Sequence, residues 1–521
     1  MKAASSFAWM VACCWSGLAF AGSSAEQAVT SHELVIEGRT AAYRATAGYI
    51  DLKVASSEAR PVAEGLKTTA RMFYVAYTMS AAGEQRPVTF IFNGGPGSSA
   101  IWLHLGGLGP RRALLSPQGE ALSPPYGLVD NEASWLSRTD LVFVDPVSTG
   151  YSRVVDEGDA QRFYGYHADV RSTGEFIQRY LTRERRWLSP KFILGESYGA
   201  ARAAGLAEHL QDRYGIYLNG VILVSPALNL AMTSFTPQND EPYINILPTY
   251  TAAAWRHGKL SAEFQSRNLE DVVAEARTYA WRDYAFALRQ GSELPSADQR
   301  NVARELSRLT SLPAEFFEQR QLRVPSTAFL TKLLEKQERI AGRFDARYVG
   351  LPYTPGMHTW DYDPTNEGVF GPVSAAFNHY IRAELGFESE RIYQRYGATR
   401  GVAWNFGDGF DGFINAAEDL RKAMIRNPYL KVWVACGYYD FATPFFAAES
   451  TIRALLLPEP VRRNVHFTYY EAGHSFYVHE ASRNELRSDL SDFLERSLNQ
   501  PAVPAVVPES AHRSVLPGRS R

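Results

Sequence analysis

The chain has 521 residues, of which 45% are apolar and 13% aromatic. This composition is typical of a globular protein, and the length favours one large domain with an insertion, or two to three units. The 54 basic and 56 acidic residues nearly cancel, so the charge gives no argument for nucleic acid or an anionic membrane as a partner.

Residues 1–21 have the pattern of a secretory signal peptide. Lys2 precedes an apolar stretch from Ala3 to Ala19, and Ala19-Phe20-Ala21 resembles a cleavage site. The stretch is short for a membrane span, and we expect no transmembrane segment elsewhere. A lipoprotein is the alternative, although Met10-Val11-Ala12-Cys13 is a poor lipobox. We expect a protein exported to the periplasm or secreted.

Beyond this segment Cys436 is the remaining cysteine, so the mature chain has no internal disulfide. A chain of this length can bury a core large enough to be stable without one. The sequence also contains no Asn-x-Ser/Thr acceptor for N-glycosylation. Both absences favour a bacterial envelope over a eukaryotic secretory pathway.

The first part of the mature chain, about Ser31 to Met79, alternates polar and apolar residues, which predicts antiparallel strands with one wet face. Val88–Phe92 is an apolar run typical of a buried strand, and it ends in Asn93-Gly94-Gly95-Pro96-Gly97-Ser98-Ser99. So much glycine lets backbone N–H groups approach a ligand closely, as an oxyanion hole requires. A flexible turn is the alternative.

Buried strands then alternate with helices. The strands are predicted at Leu141–Val144, Phe192–Leu194 and Val221–Val224, and a helix is predicted from about Ala168 to Trp187. This alternation predicts a mostly parallel sheet that is covered by helices on both faces.

Gly195-Glu196-Ser197-Tyr198-Gly199 lies between one of these strands and an alanine-rich stretch that is predicted as a helix. A G-x-S-x-G sequence in this context is typical of a nucleophile elbow, in which the serine sits on a sharp turn. Glycines on either side remove the Cβ atoms that would clash there. An ordinary tight turn is the alternative.

Two later strands each end near a residue that could complete a catalytic triad. Val432–Cys436 leads to Asp440, and Val465–Tyr470 leads to His474. The order serine, acid, histidine is that of an α/β-hydrolase, and the carboxyl edge of a parallel sheet is where such folds bind their ligands.

Between these two halves the alternation stops. Residues 22–227 and 401–498 are predicted as the two parts of an α/β core, and residues 228–400 as an inserted, mainly helical cap over the carboxyl edge of the sheet. A helix from about His479 to Leu498 closes the core, and the proline-rich residues 499–521 are predicted as a disordered tail. The helices predicted in the cap are Leu269–Gln290, Ala297–Thr310, Ala314–Leu322 and Ser326–Arg339.

Taken together, the glycine-rich loop from Asn93 to Ser99, the serine motif at 195–199, Asp440 followed by Pro444, and Gly473-His474 resemble the serine carboxypeptidase family, peptidase family S10. The resemblance covers about residues 70–230 and 400–495. It implies an α/β-hydrolase fold, hydrolysis of the C-terminal peptide bond of peptides, and no cofactor or metal.

The resemblance also implies residue roles. Ser197 would be the nucleophile, His474 the general base and then acid, and Asp440 the residue that orients His474. The backbone N–H groups of Gly95 and Tyr198 would form the oxyanion hole. A set of three groups would bind the free carboxylate of the substrate, with Glu196 protonated so that it can donate a hydrogen bond: the Asn93 side chain, the Gly94 N–H and the Glu196 side chain.

Two positions depart from the family. Its Glu-Leu-Gly-Pro string, whose glutamate partners the carboxyl group before the serine, reads Gly107-Leu108-Gly109-Pro110 here, and Ser475 stands where Met usually follows the histidine. Either burial alone raises the pKa of Glu196, or a nearby cation replaces the missing carboxylate. We expect the second, with His104, Arg111 or Arg112 as the cation.

Other interpretations remain open. Asp361 with Asp363, and Asp408 with Asp411, hint at calcium, but the first pair lacks the Gly at position six and the Glu at position twelve of a calcium loop. We expect a solvated turn instead. An acyltransferase or esterase on the same fold would use the same acyl-enzyme. A binding protein that has lost activity is a further alternative. The sequence does not predict the oligomeric state or the preferred C-terminal residue.

Overall fold

The computed structural model describes residues 27–36, 38–55, 66–79, 85–354, 356, 359–397, 404–406 and 413–499. The predicted signal peptide, the tail beyond residue 499, and Asp408 and Asp411 lie outside them. Its strands, in chain order, are β1 (Gln27–Ile36), β2 (Arg39–Ala55), β3 (Leu66–Met79), β4 (Val88–Phe92), β5 (Arg111–Ala113), β6 (Leu128–Asp130), β7 (Asp140–Val144), β8 (Arg153–Val154), β9 (Lys191–Glu196), β10 (Gly220–Val224), β11 (Ile340–Ala341), β12 (Val349–Gly350), β13 (Lys431–Gly437) and β14 (Val465–Tyr470).

The main sheet has the strand order β1-β2-β3-β7-β4-β9-β10-β13-β14, with β8 beside β3. Strands β1, β2 and β3 pair antiparallel, and β3 pairs antiparallel with β7. From β7 to β14 every pair is parallel. The predicted antiparallel first part and mostly parallel sheet are therefore confirmed.

Helices cover both faces of the sheet, which is why β4, β7, β9 and β10 are buried along their whole length. The α-helices are α1 (Ile101–Leu103), α2 (Tyr166–Arg183), α3 (Tyr198–Tyr214), α4 (Glu241–Arg256), α5 (Ala262–Gln265), α6 (Leu269–Tyr279), α7 (Ala285–Gln290), α8 (Ser296–Thr310), α9 (Ala314–Glu318), α10 (Ser326–Leu333), α11 (Pro364–Ala383), α12 (Ala417–Arg426), α13 (Phe445–Arg453), α14 (Glu459–Arg462) and α15 (Glu480–Leu498).

The chain between β10 and β13 is mainly helical, but it packs against both sides of the sheet. Tyr250 of α4 and Phe329 of α10 belong to the apolar cluster that contains α3. Phe377 and Tyr380 of α11 belong to the cluster on the opposite face, which also contains Phe143 of β7. The division of the chain at residues 227/228 and 400/401 stays a prediction.

Within the described residues, no helix is long and apolar enough to span a membrane.

The carboxyl ends of β4, β9, β13 and β14 lie at one edge of the sheet, because these strands are parallel. The glycine-rich loop, the serine motif, Asp440 and His474 follow these four ends in turn. The topology thus brings the four motifs to one edge.

Candidate active site

Ser197 lies on a strained turn between β9 and α3. Its φ is 59°, a left-handed conformation that a serine rarely adopts. A Cβ on Gly195 would lie 1.9 Å from the Gly199 carbonyl oxygen, and one on Gly199 would lie 2.7 Å from that of Phe92. Both positions therefore exclude any side chain, as the sequence predicts for a nucleophile elbow.

Asp440 and His474 are paired and buried. Asp440 Oδ2 lies 2.7 Å from His474 Nδ1. The other carboxylate oxygen accepts hydrogen bonds from the backbone N–H groups of Ala442, at 2.8 Å, and Thr443, at 3.0 Å. These bonds fix the carboxylate so that it can orient the imidazole. Ser197 and His474 line the same cavity.

The charge of Asp440 decides how readily His474 binds a proton. Burial lowers the pKa of the imidazole, but Asp440 and, to a smaller extent, Glu196 outweigh it and raise the pKa above the ordinary 6.5. Arg343 opposes this rise. His474 is therefore a stronger base than a free histidine.

Thr443 is a functional candidate that the sequence analysis missed. Its Oγ1 lies 2.6 Å from Asp440 Oδ2, 3.1 Å from His474 Nδ1 and 2.8 Å from the Ser225 carbonyl oxygen. The hydroxyl thus contacts one carboxylate oxygen of Asp440, Oδ2, while the backbone N–H groups of Ala442 and Thr443 bind the other, Oδ1. The signal that could have identified it is a hydroxyl residue three positions after the acid, just before Pro444.

The loop that carries His474 is clamped by a segment about 130 residues earlier. The Phe344 carbonyl oxygen accepts the His474 N–H at 2.6 Å, and Asp345 Oδ2 accepts the Gly473 N–H at 2.8 Å. Ser225 Oγ donates to the His474 carbonyl oxygen at 2.7 Å. Only glycine fits at 473, because a Cβ there would lie 2.3 Å from the Phe344 oxygen.

The glycine-rich loop lies against the serine turn. A Cβ on Gly94 would be 2.6 Å from the Tyr198 nitrogen, and Gly95 has a φ of 106°. Gly94, Gly95 and Tyr198 all line the cavity beside Ser197. This close approach of backbone groups is what an oxyanion hole requires. The roles of Gly95 and Tyr198 as its donors stay predictions.

Asn93 is fully buried, and it does not belong to the residues that line the cavity. Its side-chain NH₂ donates to Glu196 Oε2, and its Oδ1 accepts the Leu103 N–H at 3.1 Å. Its carbonyl oxygen accepts a hydrogen bond from Arg202 at 2.8 Å. In this structure Asn93 holds Glu196, and its direct contact with a substrate carboxylate stays a prediction.

Glu196 lies in the cavity wall with 3% of its surface exposed. Tyr477 Oη donates to its Oε1 at 2.7 Å and Ser475 Oγ at 3.3 Å. Burial raises the pKa of Glu196, while His474 and the hydrogen bonds from Tyr477 and Asn93 oppose the rise. The net shift is upward, so the carboxyl group keeps its proton at higher pH than an exposed glutamate.

The prediction that His104, Arg111 or Arg112 replaces the missing carboxylate is wrong. His104 Nε2 lies 2.6 Å from Tyr77 Oη, and burial lowers its pKa to about 3, so it is neutral. None of these three residues forms a hydrogen bond with Glu196. Arg111 is paired with Asp130 and Glu384, and Arg112 donates to the Ala113 carbonyl oxygen.

The partner of Glu196 in this structure is instead the Tyr477 hydroxyl. A Cβ on Gly107 would lie 2.6 Å from the Tyr477 carbonyl oxygen, so position 107 has no room for a glutamate side chain. Tyr477 follows the His474 motif by three residues. It stands between Phe476 and Val478 in an apolar stretch, so the sequence gave no signal that its hydroxyl would contact Glu196.

The cavity has a volume of about 300 Å³. It holds Ser197, His474 and Glu196, and its apolar wall comes from the glycine-rich loop region and from the segment between β10 and β13. The residues of that wall include Trp102, Tyr348, Val369, Phe370, Tyr396 and Phe406. The site is therefore a small pocket with an apolar wall around a few polar groups.

Within the described part of the chain, no cluster of His, Cys, Asp and Glu is suited to hold a metal ion. Asp363, one of the calcium candidates, is instead the N-cap residue that precedes α11. Its carboxylate accepts the N–H groups of Arg343, Phe344 and Thr365, at 3.1, 3.1 and 3.0 Å. It thus caps a helix and fixes the segment that clamps His474.

Comparison with known proteins gives the same family as the motifs. A family model for serine carboxypeptidases matches residues 41–281. Serine carboxypeptidase-like 44 from Arabidopsis thaliana is 26% identical over 231 residues, which are 43% of this chain and 41% of that protein. Serine carboxypeptidase-like 33 from the same plant is 27% identical over 37% of this chain and 38% of its own length. The chain thus matches about two fifths of these relatives' length.

The solved structure of Kex1(delta)p, a prohormone-processing carboxypeptidase from Saccharomyces cerevisiae, superposes with a TM-score of 0.51 at 15% identity, covering 87% of this chain and 91% of that one. This likeness shows a shared fold and confirms the predicted α/β-hydrolase architecture. The family-model match and the curated relatives agree with the order of the four motifs, and they show that residues 41–281 are similar to serine carboxypeptidases.

Proposed function

We propose that this protein is a serine carboxypeptidase that hydrolyses the C-terminal peptide bond of peptides through a Ser197-His474-Asp440 triad. One observation carries the proposal. A serine on a strained elbow shares a cavity with a buried histidine whose Nδ1 lies 2.7 Å from a fixed carboxylate. The similarity to serine carboxypeptidases supports the class of reaction, and this geometry supports the roles of the three residues.

In the first half of the reaction, the Ser197 hydroxyl oxygen bonds to the carbonyl carbon of the scissile peptide. Asp440 accepts the Nδ1–H of His474, so Nε2 is the base that takes the serine proton. The oxyanion that forms is stabilised by the N–H groups of Gly95 and Tyr198. The C–N bond then breaks as His474 gives its proton to the departing nitrogen, and an acyl group stays on Ser197.

In the second half, His474 takes a proton from water, and the water oxygen bonds to the acyl carbon. The ester bond to Ser197 breaks, and the proton returns to the serine oxygen. The products are a free amino acid and a peptide shortened by one residue. The raised pKa of His474 supports this repeated exchange of a proton near neutral pH.

A carboxypeptidase must also recognise the free carboxylate of its substrate. Protonated Glu196, with the Gly94 N–H, would donate hydrogen bonds to that carboxylate from the cavity wall. The raised pKa of Glu196 supports this role, because an ionised glutamate would repel the substrate.

Export to the periplasm or the exterior also remains a prediction, since it depends on residues 1–21.

The test is a pair of peptides that differ at the C-terminus alone, one a free acid and the other an amide. We expect the wild type to release the last residue of the free acid, with kcat/KM at least about tenfold lower for the amide, the loss that one set of charge-assisted hydrogen bonds produces. The Ser197→Ala variant is the control and should release nothing. Equal cleavage of both peptides would contradict the proposal, and turnover of simple esters alone would favour an esterase or acyltransferase.

A further inference from the structure

Arg343 has no role in the mechanism above, yet its side chain lines the cavity with Ser197 and His474. Among the described residues of the cavity wall it is the single Lys or Arg. It is partly buried, and its guanidinium carbon lies 5.4 Å from the centre of the Phe344 ring. A cation is therefore held at the site where the substrate binds.

No carboxylate in the described part of the chain forms an ion pair with Arg343, although three lie nearby in sequence or space. Asp345 is paired with Arg347 at 2.7 Å. Asp363 accepts three backbone N–H groups, and Asp440 is paired with His474. The Phe344 ring contacts this guanidinium, and no carboxylate of the described residues pairs with it, so it can bind an anion through charge-assisted hydrogen bonds.

The position of Arg343 is fixed by its backbone. Its N–H donates to Asp363 at 3.1 Å, and a Cβ on the preceding Gly342 would lie 2.2 Å from Thr365 Oγ1. The ring of the next residue, Phe344, lies 5.0 Å from the imidazole of His474. Arg343 is thus on the His474 side of Ser197, where the departing amino acid receives its proton.

We propose that Arg343 binds the side-chain carboxylate of the substrate's last residue, so that the enzyme prefers peptides ending in Asp or Glu. The inference rests on the proposed carboxypeptidase function. The α-carboxylate of that residue is assigned to Glu196 and Gly94, which leaves its side-chain carboxylate to bind Arg343 in the same cavity. An arginine fork pairs with a carboxylate through two parallel hydrogen bonds, which gives geometric selectivity for acidic side chains over their amides.

The test compares kcat/KM for three blocked peptides that are identical except for a last residue of Glu, Gln or Lys. We expect the wild type to prefer Glu over Gln by about tenfold or more, as a charge-assisted pair gives, and to process Lys least well. Comparing ratios within one enzyme removes any effect of Arg343 on the base, His474.

Variants then assign the preference to the residue. Arg343→Gln should abolish the Glu over Gln ratio, Arg343→Lys should keep part of it, and Arg343→Glu should shift the preference to Lys. Arg339→Gln is the matched control. It removes the same charge from an exposed arginine that precedes the segment and donates to the Glu338 carbonyl oxygen, so its ratios should equal those of the wild type.

The outcomes separate this inference from the proposed function. Equal cleavage of all three peptides by the wild type, or an Arg343→Gln variant with an unchanged ratio, would overturn the role of Arg343 alone. An equal loss on all three peptides in Arg343→Gln leaves the ratio unchanged, so Arg343 would act on the α-carboxylate or on His474, and the inference would be overturned. If the wild type released no residue from any peptide, the carboxypeptidase function would fail, and the inference with it.

Discussion

Two hydroxyl groups, on Thr443 and Tyr477, hold the two key carboxyl groups of the site. Tyr477 donates to Glu196, and Thr443 lies 2.6 Å from Asp440. The Tyr477 contact lowers the pKa of Glu196, and the Thr443 contact fixes the position of Asp440, so the two hydroxyl groups have different consequences for activity.

Replacing Tyr477 with Phe should extend substrate binding to higher pH. The Tyr477 hydroxyl lowers the pKa of Glu196 against the larger effect of burial, which raises it. Without the hydroxyl the pKa rises further, and Glu196 keeps the proton that it donates to the substrate carboxylate. KM against pH for a free-acid peptide measures this, and in Glu196→Gln the dependence should disappear.

The matched control is Tyr284→Phe, which removes a buried hydroxyl that donates to the Leu322 carbonyl oxygen in the helical segment. Its KM profile should follow that of the wild type. A Tyr477→Phe profile that stays in place, or that moves to lower pH, would contradict the assigned role of Tyr477.

Thr443 positions Asp440 and with it the imidazole of His474. We expect Thr443→Val, which keeps the shape and removes the hydroxyl, to lower kcat by about tenfold, the effect of losing one hydrogen bond of roughly 1.4 kcal/mol. Thr443→Ser should restore most of the activity. If KM rose instead and kcat stayed unchanged, Thr443 would act on substrate binding and not on the triad.

Because the pKa of His474 is raised, kcat/KM should fall as the pH drops through a value above 6.5, where the imidazole takes up a proton and stops acting as a base. The acid limb of the kcat/KM profile measures this. A profile that stays flat well below pH 6 would show that the base is not this histidine.

At the scale of elements, a buried ion pair connects α2, α3 and the end of β4 beneath the cavity. Asp169 of α2 and Arg202 of α3 lie 2.8 Å apart, and Arg202 is fully buried. Asp169 also accepts a hydrogen bond from Tyr198 Oη at 3.1 Å, and Arg202 donates to the Asn93 carbonyl oxygen at 2.8 Å. The pair therefore fixes both sides of the predicted oxyanion hole.

Breaking this pair from one side should be costly. Arg202→Met leaves the Asp169 carboxyl group buried without its partner, and we expect the free energy of unfolding to fall by about 3–5 kcal/mol. The double variant Asp169→Asn with Arg202→Met should recover part of that loss, since it leaves no buried charge. Urea denaturation measures both. Equal stabilities for the single and double variants would contradict the coupling.

At the scale of the whole molecule, the sequence predicts the parts of the fold that local pattern determines. The apolar runs of β4, β9 and β13 are strands buried on both faces, and such strands show an uninterrupted apolar pattern. Ser197, Asp440 and His474 follow strand ends, so their meeting at one edge follows from the parallel topology.

The rest of the site depends on contacts across long distances in the chain. Arg343, Phe344 and Asp345 reach the cavity because the segment between β10 and β13 folds back over His474, and no local pattern encodes where such a segment returns. The same holds for α11, which packs on the far face of the sheet. Tyr477 was missed because it lies between two other buried apolar residues, Phe476 and Val478. The missing glutamate at Gly107 was instead linked to cations close to it in sequence.

The most direct test of the central claim is titration of the active site with a fluorophosphonate, read by intact mass and peptide mapping. We expect one adduct per chain on Ser197, with release of C-terminal residues falling in proportion to the labelled fraction, and no adduct in Ser197→Ala. An adduct on another residue, or full release of C-terminal residues by a chain labelled at Ser197, would contradict it.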